Sequence, residues 1–104
     1  MTRHHGKARD HNEPEIVAAL RAEGCSVMRI LDSDPAGAPD LCAALDGVEV
    51  FMEVKQTGGK LTPHQRKWRR DWKGQPVAIV HTPEEAVDVM AQALRARLQR
   101  VRGE

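Results

Sequence analysis

Apolar positions recur at helical spacing in three stretches of the chain, and crowd into strand-like runs between them. Ile16, Val17 and Leu20 trace the first stripe, the pattern of a helix with one buried face. Asn12-Glu13-Pro14-Glu15 before it reads as a helix start. Asn is a favoured N-cap, Pro is tolerated in the first turn, and Glu15 completes a capping box. Gly24 is placed to end this helix. Cys25 to Leu31 reads as a strand and Asp32 to Ala38 as a turn-rich loop. Leu41–Leu45 and Val48–Lys55 then flank Asp46-Gly47, a pair that favours a type I′ hairpin turn because both central residues need positive φ. Beyond the loop Gln56–Lys60, Thr62-Pro63-His64-Gln65 opens a second helix with a capping box and Pro at its first position. It is expected to run to about Lys73, before Gly74-Gln75-Pro76. Val77-Ala78-Ile79-Val80 is an unbroken apolar run, expected to be a short strand buried on both faces. Thr82-Pro83-Glu84-Glu85 repeats the helix opening, and Val87, Met90, Leu94, Leu98 and Val101 trace a third helical face. The predicted class is α/β, in the order α-β-β-β-α-β-α, with a central mixed sheet flanked by helices.

With 104 residues, the chain is expected to form a single domain, 12–104, behind a flexible tail, 1–11. A net charge of +1 conceals an asymmetry, since residues 1–53 hold five Lys/Arg against ten Asp/Glu and residues 54–104 hold eleven against five. An acidic half suits a cation and a basic half a polyanion. Cys25 and Cys42 lie in apolar contexts without metal-ligand spacing, which argues for reduced, buried thiols over a disulfide. His4, His5 and His11 also lack ligand spacing, which favours a mobile tail over metal binding and leaves their role open. With neither a signal peptide nor a membrane-spanning run, a soluble cytoplasmic protein without a membrane partner is expected.

The hairpin gathers charged groups. If its turn holds only Asp46 and Gly47, Leu45 lies opposite Val48 and Asp40 opposite Glu53. Glu49, Phe51, Glu53 and Lys55 then share one face, and Val48, Val50, Met52 and Val54 the other. Facing carboxylates repel, and a hard divalent cation with oxygen ligands is their natural counter-ion. Lys55 adds an ammonium suited to stabilising the charge that develops in phosphodiester hydrolysis.

Glu15 on the first helix, Pro39-Asp40, Glu53-Val54-Lys55 and Leu61-Thr62-Pro63-His64-Gln65 follow one another in an order that resembles the PD-(D/E)xK nuclease superfamily. Within it, the chain resembles the small, stand-alone, phage-type nucleases called VRR-NUC. The likeness spans Asn12 to Val80. It implies a restriction-endonuclease-like core and a deoxyribonuclease, an endonuclease dependent on Mg²⁺ or Mn²⁺, with DNA as substrate. By that resemblance Asp40, Glu53 and Glu15 would hold the metal, with the Val54 carbonyl as a further ligand, and Lys55 and Gln65 would join the catalytic set.

Plainer accounts stand beside these roles. Glu15 and Gln65 are each explained by a capping box, Lys55 by an ion pair with Glu53, and Lys60 by a solvated loop. Lys60, Arg66, Lys67 and Arg70 could instead contact a phosphate backbone, which would make DNA binding steeply salt-dependent. Trp68 and Trp72, at helical spacing with Leu61 and Gln65, read as core before they read as a base-stacking platform. No helix suited to reading the major groove is evident, so cleavage is expected to select DNA structure over sequence. A homodimer would present two sites to a branched substrate. No replication or repair partner can be named from the sequence. The competing readings are a catalytically silent nucleic-acid-binding module of the same fold and a structural protein whose acidic face is a solvated ion-pair network.

Overall fold

Asp46 and Gly47 adopt φ of +52° and +79°, the positive values a type I′ turn requires at both central positions. The computed structural model describes residues 10–31 and 35–103. Their elements are α1 (Glu13–Ala22), β1 (Ser26–Arg29), β2 (Leu41–Leu45), β3 (Val48–Val54), α2 (Pro63–Asp71), β4 (Ala78–Val80) and α3 (Pro83–Val101). The expected tail, with His4 and His5, falls mostly on residues 1–9 and lies outside the described residues, as do 32–34 of the expected loop. Asp10 and His11 belong instead to the turn that leads into α1, where the Asp10 carbonyl accepts from the Glu13 amide at 3.0 Å.

The strands form one mixed sheet in the order β1-β2-β3-β4, antiparallel except for the parallel pair β3 and β4. The hairpin register runs from Leu45↔Val48 to Leu41↔Met52. Two-residue periodicity therefore sends Leu41, Ala43, Met52 and Val54 to one face, where all four are fully buried. Ile16, Val17 and Leu20 of α1 and Ala86 and Met90 of α3 complete that core. Each large apolar side chain so buried contributes about 1.5–3 kcal/mol. Cys42, Phe51 and Glu53 turn to the opposite face, over which α2 lies.

Two expectations about burial fail for the same reason, the narrowness of the sheet. β4 is an edge strand, so Ile79 stays exposed while Val77 and Val80 are buried. The stripe on α3 buries Met90 and half-buries Val87 and Leu94, but Leu98 and Val101 run on into solvent beyond the sheet. Cys25 is buried and Cys42 half-buried, and both are free thiols. Burial pushes both thiols up from their ordinary value, with help from Glu23 at Cys25 and Glu49 at Cys42. Among the described residues, no helix is long and apolar enough to cross a membrane.

Candidate active site

Asp40 closes the loop that precedes β2, directly after the buried Pro39. The uninterrupted register would set it opposite Glu53. The ladder instead stops at Leu41↔Met52, and the Asp40 amide donates to the Met52 carbonyl at 3.1 Å. Asp40 and Leu41 thus share one partner, the kind of local slip by which a bulge redirects a side chain. The Asp40 carbonyl accepts from the Ile30 amide at 2.8 Å, tying it to the end of β1 as well. Its Oδ2 accepts from the Val54 amide at 2.8 Å, so the carboxylate reaches across to β3 beside Glu53.

Glu53 is 3% exposed and Asp40 6%. Buried carboxylates require partners, and Glu53 has two on one oxygen. Gln65 Nε2 donates to Glu53 Oε2 at 2.9 Å, and Lys55 Nζ stands 4.0 Å from the same atom. Asp40, Glu53, Lys55 and Gln65 are thereby gathered at one end of the sheet from a loop, a strand, a strand end and a helix.

Gln65 completes the expected capping box and also reaches Glu53. Its backbone N–H donates to Thr62 Oγ1 at 3.2 Å and its Oε1 accepts from the Thr62 amide at 2.9 Å, which completes the capping box. The amide nitrogen left over is the one that meets Glu53. α2 itself has no buried residue, so its seat depends on a few contacts. Phe51 meets Trp68 and Trp72 edge-on at centroid distances of 6.3 and 5.6 Å, and the two indoles stack at 4.6 Å. Trp72 remains 42% exposed, so the pair is a surface cluster with one side on the sheet, short of the core role expected of it. Arg69 Nη1 donates to the Val77 carbonyl at 2.8 Å. Gly37, at φ +99°, lies so close that a Cβ there would stand 2.3 Å from the His64 carbonyl oxygen.

The basic residues of this region are exposed: Lys60 on its loop, and Arg66, Lys67 and Arg70 on α2. Arg66 Nη1 donates to the Leu61 carbonyl at 2.8 Å. Asp71 sits between the other two, 2.6 Å from Lys67 and 3.7 Å from Arg70. The hydrogen bond from Lys67 holds the Asp71 carboxyl below its ordinary value. This pairing draws on part of the positive charge read from the sequence.

The first helix departs most from expectation. Asn12 makes no side-chain cap, and Glu15 is exposed. The carboxylate that α1 buries is Glu13, with Oε2 3.1 Å from Arg29 Nε on β1. The sequence held the signal. Glu13 stands three, four and seven residues before Ile16, Val17 and Leu20, on the apolar stripe itself, whereas Glu15 stands off it. Among the described residues, no group of three or more His, Cys, Asp or Glu converges, so neither Glu13 nor Glu15 joins Asp40 and Glu53. Asp40 and Glu53, both buried, offer hard oxygen donors, which suit a hard divalent cation better than a soft metal.

The archaeal Holliday junction resolvase (Hjc) family matches residues 1–97 of the chain. A solved structure described as a VRR_NUC domain is 27% identical to it, with a TM-score of 0.59, over 76% of this chain and 89% of that one. No curated protein matches.

Proposed function

Because the chain belongs to the archaeal Holliday junction resolvase family of nucleases, we propose that it is a divalent-metal-dependent endonuclease that cuts branched DNA, four-way junctions above all. The observation that carries this reading is the convergence of Lys55 and Gln65 on the carboxylate of Glu53, beside the buried Asp40. The burial of Asp40 and Glu53 speaks against a solvated ion-pair network, and cleavage decides between the nuclease and a silent binding module.

Asp40 and Glu53 would hold the ion, Mg²⁺ or Mn²⁺, with the Val54 carbonyl as a further ligand. When bound, such an ion polarises the scissile phosphate and acidifies a water. Lys55 presents its ammonium beside Glu53, where it orients the attacking water and stabilises the charge gathering on the phosphate. Gln65 fixes the rotamer of Glu53 through Nε2, so the carboxylate needs no reorganisation when substrate arrives. Glu13, rather than the exposed Glu15, is the carboxylate through which α1 supports the site. Its pairing with Arg29 steadies the end of β1 that holds the Asp40 carbonyl.

Residues 12–104 act as one nuclease domain. Lys60, Arg66, Lys67 and Arg70 lie on the α2 side of the sheet and supply contacts to the phosphate backbone. A four-way junction demands two cuts and each chain carries one such site, so we read the working unit as a homodimer. Met28, 59% exposed on the edge strand β1, shares with Phe51 and Trp72 the face that would pair.

Comparison of four-way-junction, flapped, linear and single-stranded DNA, with Mg²⁺ or Mn²⁺ and with EDTA, tests the reading. The junction should be cut fastest, and only with metal. Equal rates on all four would remove structure selectivity, and binding without any cutting would favour the silent module. Sedimentation of Met28→Glu against the wild type tests the dimer. A dimeric wild type and a monomeric variant are expected, and a monomeric wild type would contradict it.

A further inference from the structure

Asn12 occupies the N-cap position of α1, yet its side chain makes no cap hydrogen bond there. Its Nδ2 instead donates to the Lys55 carbonyl at 3.2 Å and to the His81 carbonyl at 2.8 Å. These two residues directly follow β3 and β4, and the Lys55 amide already donates to the Val80 carbonyl at 3.0 Å. One carboxamide therefore spans the ends of two parallel strands where their own ladder runs out. The neighbouring residues repeat the grip, with His11 Nδ1 and Gln56 Nε2 3.1 Å apart. The chain beyond, Gln56–Lys60, is exposed.

The orientation of that carboxamide is fixed, because the flipped form would set Oδ1 against two carbonyl oxygens. In the form that fits, Oδ1 is buried without a hydrogen-bond partner among the described residues. An unpaired buried acceptor costs stability, and so does a forgone cap. Both local rules are broken at the residue that holds Lys55, and such breaches concentrate at functional sites.

We propose that Asn12 is a positioning residue for Lys55, latching the end of β3 so that the ammonium stays beside Glu53. This rests on the nuclease reading given above. Lysine has a long, flexible stem, and its ammonium is only as well placed as the backbone it leaves. With both the N–H and the carbonyl of Lys55 engaged, the stem starts from a fixed point. Release of the carbonyl lets β3 fray into the exposed turn beyond it, and Lys55 Nζ loses its station.

The test uses Asn12→Asp, which keeps the shape but turns an acceptor toward both carbonyls, and Asn12→Ala. Val87→Ala, a destabilising change on α3 away from the site, is the control. On junction DNA with Mg²⁺, both Asn12 variants should lose kcat by on the order of a hundredfold, with KM unchanged. Val87→Ala should keep its kcat at temperatures where it is folded. Hydrogen exchange supplies a readout independent of cleavage. The Lys55 amide should exchange faster in both Asn12 variants, while the Met90 amide keeps its protection. Wild-type kcat in either Asn12 variant overturns the proposal. So does loss of kcat with no change at the Lys55 amide, or loss that merely tracks unfolding as in the control. If the wild type cuts no DNA, the nuclease reading fails by itself. Exchange then decides the latch alone: acceleration at Lys55 upholds it, and none overturns it.

Discussion

Gly37→Ala probes how the site is assembled, because Gly37 has no side chain to take part in catalysis and yet lies against the backbone of the helix that carries Gln65. A Cβ at Gly37 would stand 2.3 Å from the His64 oxygen, 2.5 Å from the His64 carbonyl carbon and 3.0 Å from the Gln65 nitrogen. These are backbone atoms, so no rotamer change relieves the contact. Restoring ordinary van der Waals separation of about 3.5 Å requires α2 or the loop to move by about 1 Å. The Gln65–Glu53 hydrogen bond, now 2.9 Å, would then lie outside bonding range. The φ of +99° adds a second penalty, about 1–2 kcal/mol for a residue with a Cβ in left-handed backbone. α2 is the element that yields, since it buries no residue of its own. Urea unfolding followed by the fluorescence of Trp68 and Trp72, both against Phe51, reports the displacement and the loss of stability. Junction cleavage reports the loss of the Gln65 contact. We expect a loss of about 1–2 kcal/mol and a cleavage defect similar to that of Gln65→Ala. The double variant should be no worse in cleavage than the worse single one, because both changes break one contact. Gly37→Ala with wild-type stability and cleavage would refute the close approach and the role given to Gln65.

Four further outcomes are expected. Mn²⁺ at a hundred times its Kd should raise the wild-type unfolding free energy by about 2.7 kcal/mol, and Asp40→Asn should abolish that gain; equal gains would remove Asp40 from the metal site. Asp40→Ala, by contrast, should destabilise even without metal by about 1–3 kcal/mol, because the Val54 N–H loses its buried acceptor; unchanged unfolding without metal would contradict this. Replacing Arg66, Lys67 and Arg70 with Glu should weaken junction binding and flatten its dependence on salt, whereas an unchanged slope would place the DNA elsewhere. Hydrogen bonds from the His81 side chain and backbone hold the Glu85 carboxyl below its usual 4.5. That stabilisation is present above the unfolded-state pKa and lost as pH falls through the folded one. Glu85→Gln should therefore flatten the acid limb of stability against pH, and an identical limb would show that the pair contributes nothing.

The parts of the fold that local chemistry dictates were legible in the chain. Asp46-Gly47 sets the turn, the alternation of Val48, Val50, Met52 and Val54 sets the face, and together they set the register from Leu45↔Val48 to Leu41↔Met52. Thr62 and Gln65 announce their capping box for the same reason. What escaped was decided over longer range. Asp40 leaves the ladder because its carboxylate finds the Val54 amide, a partner fourteen residues away. Asn12 forsakes its cap for carbonyls beyond β3 and β4, which no rule of helix starts anticipates. An apolar run such as Val77–Val80 does not say whether its strand will be central or at an edge, and the stripe on α3 does not say where the sheet beneath it stops. Glu13 is a different case. The apolar stripe of α1 already pointed to it, but the capping-box spacing drew the reading to Glu15.

Junction cleavage by the wild type and by Glu53→Gln, each with Mg²⁺, with Mn²⁺ and with EDTA, is the sharpest test of the proposed nuclease site. Gln at position 53 preserves volume and an acceptor for Gln65 Nε2 while removing the charge that the ion and Lys55 require. The account predicts metal-dependent cutting by the wild type, none in EDTA, and none by a Glu53→Gln protein that remains folded and still binds the junction. Cutting at the wild-type rate by Glu53→Gln would contradict it.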